Sequence, residues 1–184
     1  MQKQVALFRG INVGRAKRLA MADLRALLEE LGYDDVRTLL NSGNVVFTVP
    51  PKHKGDAAAR IQAAVAAQLG VSASVLTVGA GDFETVVAEN PLMAVATDPA
   101  RFLVAFVREP GALARLAPLA GQTLPPDVLA LGSQAAYLWC AGGILESKLL
   151  AAVHRLLGEG VTTRNWATVL KLQALLKTPV LTEN

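Results

Sequence analysis

The chain has one cysteine, Cys140, in 184 residues, so no disulfide can form within it. That favours a reducing compartment. No apolar run approaches the roughly 20 residues that a membrane-spanning helix needs, and no stretch resembles a signal peptide. The expectation is a cytoplasmic protein with no membrane partner. There are two histidines, His53 and His154, far apart in the chain. With a single cysteine they make no metal-ligand set, so neither a metal nor a cofactor is expected. Aromatic residues are 5%, too sparse for the stacking platforms that hold single-stranded nucleic acid. Neither GxGxxG nor GxxxxGK[ST] occurs, which removes the dinucleotide fingerprint and the P-loop.

What is there is apolar and weakly basic. Hydrophobic residues are 52% and charged residues 18%, a composition that packs a core and argues against disorder. The length suits one large domain or two small ones. The net charge is +3, and its distribution is uneven. Lys3, Arg9, Arg15, Lys17 and Arg18 all precede the first acid, Asp23. Such a patch attracts phosphates or nucleic acid, or is a solvated basic face.

The order of elements follows from periodicity and punctuation. VALF (5–8) reads as a buried strand. RGINVGRAKR is a loop. Met21, Leu24, Leu27, Leu28 and Leu31 recur at helical spacing, and Gly32 closes that helix. Val36–Leu40 and Val45–Val49 are strands joined by NSGN, a hairpin signal. Ile61, Val65 and Leu69 mark a second helix ending at Gly70, and Ser74–Val78 is a strand. This βαββαβ order is the split-βαβ pattern of a ferredoxin-like domain.

A similar order then begins again. GAGDF (79–83) looks like a helix start capped by Asp82. RFLVAFVREPG (101–111) is a strand, and Ala112–Ala117 a short helix. DVLALGSQAAYLWC (127–140) is a hairpin turning at Gly132 and Ser133, with Cys140 a small core residue. Leu149, Val153, Leu156 and Leu157 mark a helix, and AAVHRLLGEGV (151–161) echoes AAVAAQLGV (63–71). The expected fold is α+β: two ferredoxin-like (split βαβ) subdomains related by duplication, with an extra C-terminal helix. The expected division is 1–80, a linker with a short helix at 81–100, and 101–184.

Three polar motifs stand at element ends. In TTRNW (162–166), Thr162 or Thr163 is suited to cap the final helix. Trp166, Val169, Leu170 and Leu176 fall on one face, so Trp166 is expected in the core. That leaves Arg164 and Asn165 to explain. Arginine at an electropositive helix start needs a counter-anion, either a ligand phosphate or a side chain elsewhere in the chain. In RGINVG, small residues let backbone amides form an anion-binding concavity flanked by Arg9 and Arg15, or they simply make a tight connection. NSGN is a turn first. Ser42 as a nucleophile would need a base that the spacing of the histidines does not supply.

Together, ALFRGINVG, MADLRALLEELG, NSGNVVF and TTRNWATVLKL resemble the domain of unknown function 1697 family of bacterial proteins, over nearly the whole chain. The resemblance implies two duplicated α+β subdomains and no established activity. The matching positions are Arg9, Gly10, Ile11, Asn12, Val13, Gly14, Met21, Leu24, Arg25, Ser42, Gly43, Asn44, Thr163, Arg164, Asn165 and Trp166. The chain departs from the family pattern at Arg15, where a second glycine is usual, at Asn41, where glutamine is typical, and at Ala167, where asparagine is typical.

Three functional readings follow. One is a module binding a phosphate-bearing ligand, a nucleotide or nucleic acid, in a cleft between the subdomains. Its ligand-binding residues would be Arg9, Gly10, Asn12, Gly14, Ser42, Asn44, Arg164 and Asn165. A second is an enzyme acting on a small anionic substrate, for which no catalytic residue is identifiable. A third is that the motifs only join the two halves. The oligomeric state is not legible in the sequence.

Overall fold

The apolar run at residues 5–8 forms the buried centre of β1 (Gln2–Arg9) in the computed structural model, which describes residues 2–13, 18–122 and 124–179. After the first loop come α1 (Met21–Glu30), the hairpin of β2 (Asp34–Leu39) and β3 (Asn44–Val49), α2 (Ala57–Leu69) and β4 (Ser74–Gly79). The four strands make an antiparallel sheet in the order β2-β3-β1-β4. In it Val5 of β1 faces Val46 on one side and Val78 on the other.

The helices cover one face of this sheet. Leu24, Leu27 and Leu28 form a single apolar stripe on α1. They share a core with Ala6, Phe8 and Phe47 of the sheet and with Ile61 and Val65 of α2. Asp56 starts α2 by accepting bonds from Ala58 N at 2.8 Å and Ala59 N at 3.3 Å, which satisfies first-turn amides that have no partner inside the helix. Tyr33 closes the core edge-on to Phe47, ring centres 4.9 Å apart.

The second half repeats the plan. After α3 (Ala80–Ala88) come β5 (Phe102–Val107), a 3₁₀ turn at Pro110–Leu116 running into α4 (Ala117–Ala120), and the hairpin of β6 (Val128–Leu131) and β7 (Ala135–Trp139). Then follow α5 (Lys148–Leu157), β8 (Val161–Asn165) and α6 (Trp166–Lys177). The second sheet is ordered β6-β7-β5-β8, the same path as the first. Its core gathers Leu103, Ala105, Leu116, Leu138, Leu149 and Val153. The fold is thus α+β, two ferredoxin-like subdomains of one topology plus a C-terminal helix.

Two local expectations are corrected. The helix expected at Ala112–Ala117 begins two residues earlier as a 3₁₀ turn, because Pro110 fits a helix start and leaves no amide unpaired there. Asp82 is not a cap: α3 begins at Ala80, and Asp82 sits in its first turn. An acid there still opposes the positive end of the helix.

The described residues form two compact units, one up to Phe83 together with those from Leu172 onward, the other Glu84–Lys171. Between β4 and β5 the chain forms α3 and a run of turns, and α6 is divided between the units. Among the described residues no helix is long and apolar enough to cross a membrane.

Candidate functional site

The first loop leaves β1 at Arg9 and turns at Gly10 (φ +82) and Asn12 (φ +53), both left-handed. Asn12 spends its side-chain amide on the main chain. Its Nδ2 donates to Leu19 O at 3.0 Å and Asn41 O at 2.7 Å, and its Oδ1 accepts from Leu19 N at 2.7 Å. One amide therefore ties the loop to the segment before α1 and to the β2–β3 turn. Gly14 and Arg15 lie outside the described residues.

The turn is braced in the same way. Gly43 has φ +76, and its carbonyl accepts from Phe8 N at 2.8 Å. A Cβ on Gly43 would stand 2.5 Å from Ile11 Cδ1 and 2.5 Å from Phe8 Cβ, so only glycine fits. Asn44 is fully buried. It donates to Leu39 O at 2.9 Å and Ser42 Oγ at 2.8 Å, which holds the turn closed. Leu40 adopts φ +58, a conformation that costs a bulky residue free energy unless its surroundings impose it.

Beside these braces lies a cavity of about 440 Å³ lined by Asn12, Arg18, Leu19, Ala20 and Asn41. It adjoins the start of α1. Ala20 occupies the N-cap there and makes no side-chain cap bond, because a methyl group has no acceptor. The first-turn amides of such a helix are left for solvent or a ligand. Arg18 is exposed and adds positive charge, while Asp23 in the first turn of α1 offsets part of it. Val13 (74% exposed) and Leu40 (50% exposed) are large apolar side chains open to solvent beside lining residues.

In the second unit the structure redraws TTRNW. Thr162 and Thr163 do not cap α6; they belong to β8, where Thr162 faces Phe106 and Thr163 faces Ala105. The cap is Asn165, whose Oδ1 accepts from Thr168 N at 2.9 Å. Arg164 is therefore not in a helical first turn. It is a strand residue opposite Val104, donating from Nη1 to Thr162 Oγ1 at 3.2 Å and Thr163 O at 2.8 Å. Desolvation draws its pKa down to about 10, so the guanidinium stays charged at neutral pH and needs those acceptors. Trp166 is buried as expected, its ring centre 5.2 Å from that of Phe102, and Val169 and Leu176 are buried with it. Leu170 is 41% exposed, so it leaves the predicted face and Leu172 takes its place.

Of the residues singled out by sequence, Arg9, Gly10, Asn12, Ser42 and Asn44 belong to the first unit, and Arg164 and Asn165 to the second. The cavity adds Arg18, Leu19, Ala20 and Asn41. Arg18 is legible only as one of a basic run. The missing cap is legible too, since LAM offers no serine, threonine, aspartate or asparagine before the periodic leucines.

A family model described as "Protein of unknown function (DUF1697)" matches residues 1–137. The matched stretch includes the whole first sheet and stops before β8. Among solved structures, a conserved bacterial protein from Streptococcus pneumoniae is similar to the chain with a TM-score of 0.77 at 26% identity. That similarity covers 96% of this chain and 99% of the other, hence both units. No curated protein matches the chain.

Proposed function

The chain belongs to the DUF1697 family, and from that premise we propose that its first unit binds a phosphate-bearing ligand in the cavity between the first loop, the start of α1 and the β2–β3 turn. The observation that carries this reading is an uncapped helix start opening beside Arg18 into a preformed concavity. First-turn amides and a guanidinium recognise the same oxygens, amides by direction and arginine by charge.

The residues divide by role. Arg18 and the amides at the start of α1 hold the anion, and Arg9 adds positive field from the end of β1. Asn12 lines the cavity with its side-chain amide spent on the main chain, and Gly43 and Asn44 brace the neighbouring turn, Asn44 through Leu39 O and Ser42 Oγ. A purely bracing reading of the motifs has direct support at Asn12 and Asn44. It does not account for an exposed arginine beside a helix start without a cap.

The test is a titration of inorganic triphosphate into the ¹⁵N-labelled chain at low and high salt. The amides of residues 19–23 should shift saturably, and affinity should fall as salt rises. Arg18→Gln should weaken binding about tenfold, equivalent to ~1.4 kcal/mol, with Arg18→Lys in between. Unmoved amides at residues 19–23 would sink the reading.

A further inference from the structure

A second cavity lies wholly in the other unit. It encloses about 340 Å³, near the small end of the range that holds small-molecule ligands. Leu124, Pro125 and Pro126 form one wall; Asp127, Glu146 and Lys148 supply its charges.

Each wall is built by local chemistry. Asp127 N bonds back to Leu124 O at 2.9 Å, closing a tight turn that presents the two exposed proline rings. Across the cavity, Ser147 is buried and joins the walls. Its Oγ accepts from Leu150 N at 3.0 Å, starting α5, and donates to Asp127 Oδ2 at 2.7 Å. Gly142 lies on the same lining, and a Cβ there would already touch Pro126 Cγ at 3.8 Å. The Ser147–Asp127 bond thus links the turn to the start of α5 on the cavity's lining.

Asp127 is engaged through one oxygen by Ser147, but the other two charges are not spent elsewhere. Among the described residues, Glu146 and Lys148 make no ion pair with each other or with another side chain. Both are exposed. A small apolar-walled space with carboxylates and an ammonium on one lining complements a ligand with both signs of charge on a short apolar body. We propose that this cavity binds a small zwitterion of the apolar amino-acid class. Its ammonium lies toward Asp127 and Glu146, its carboxylate toward Lys148, and its side chain against the prolines.

The test uses the ¹⁵N-labelled full chain and three probes: L-leucine, N-acetylleucine without the ammonium, and leucinamide without the carboxylate. Leucine should move the amides of residues 142–148 saturably, and each blocked probe should bind about tenfold or more weakly, the loss of one charge contact. Lys148→Gln should erase the difference between leucine and leucinamide. Glu146→Gln should reduce the difference between leucine and N-acetylleucine. Both side chains are exposed, so these variants keep the fold. Three probes binding alike would reduce the cavity to an apolar groove and overturn the proposal. So would no saturable shift with any probe.

Discussion

Tyr137 is fully buried on β7 and donates its phenol to Val86 O at 2.6 Å. Burial, with the nearby Glu89 carboxylate adding to it, pushes that phenol up to about 12 from an ordinary 10. Between those values the unfolded chain has lost a proton that the folded chain keeps, so stability falls as pH rises. The contribution is whole below pH 10 and gone once pH passes about 12. Its size is roughly 3 kcal/mol. Urea denaturation should show wild type losing stability between neutral pH and about pH 11 more steeply than Tyr137→Phe does. At neutral pH the same variant should be about 1–2 kcal/mol less stable, because Val86 O is left without its donor. Equal slopes for the two proteins would refute the linkage. Two glycines separate dihedral cost from space. Gly10 and Gly43 both have positive φ, but a Cβ at Gly10 meets nothing within 4 Å, whereas one at Gly43 collides with Ile11 and Phe8. Gly10→Ala should cost about 1 kcal/mol and Gly43→Ala about 3 kcal/mol or more. Equal melting points for the two variants would contradict the close approach at the turn.

At the scale of elements, the junction of β8 and α6 gives the clearest test. If Asn165 is the cap, Asn165→Ala should destabilise by about 1 kcal/mol while Asn165→Asp holds. Thr163→Val, isosteric and at home in a strand, should stay within about 0.5 kcal/mol of wild type. A loss at Thr163 and none at Asn165 would restore the threonine cap that the sequence suggests. The sequence leaves that junction ambiguous for a physical reason. Threonine suits both a strand and an N-cap, and Val161 and Thr162 are both buried, so this short strand shows no alternation against the helix that follows. Elements with long periodic faces were legible throughout. The leucines of α1 and α5, the apolar centres of β1 and β5, and the hairpin at Gly43 all stand where period and punctuation put them. The cavities were not legible. The first requires Asn12, Arg18 and Asn41 to converge from a loop, a pre-helix segment and a turn, and the second requires Asp127 to meet Ser147. Spacing carries no information about such meetings. The missing cap at Ala20 was in plain view, but it becomes a site only when the fold sets a concavity beside it.

At the scale of the whole molecule, the chain returns to where it began. The last part of α6, from Leu172, groups with the first unit rather than with the residues that precede it. Lys3 on β1 donates to Leu176 O and Thr178 O, both at 3.0 Å, so a charge from the chain's first strand satisfies carbonyls at the end of its last helix. A cation at that position also opposes the negative end of the helix. Leu172 and Leu176 are buried. Ending the chain at Lys171 therefore removes two buried leucines and leaves Lys3 without its acceptors. On area grounds the loss is roughly 3–6 kcal/mol, an upper bound because the unfolded chain is partly compact. That is a large share of a domain's usual margin. The truncated chain should melt well below the full one, and amides of β1 should exchange faster although no residue near them in sequence has changed. Lys3→Met should give a smaller loss, about 0.5–1 kcal/mol, the size of a charge at a helix end. If the truncated chain melted with the full one and β1 kept its protection, the end of α6 would be an appendage and the first ferredoxin-like unit would be complete at β4. If both losses appear in that order, the first unit is discontinuous in sequence. It then cannot finish folding until the last helix has been made.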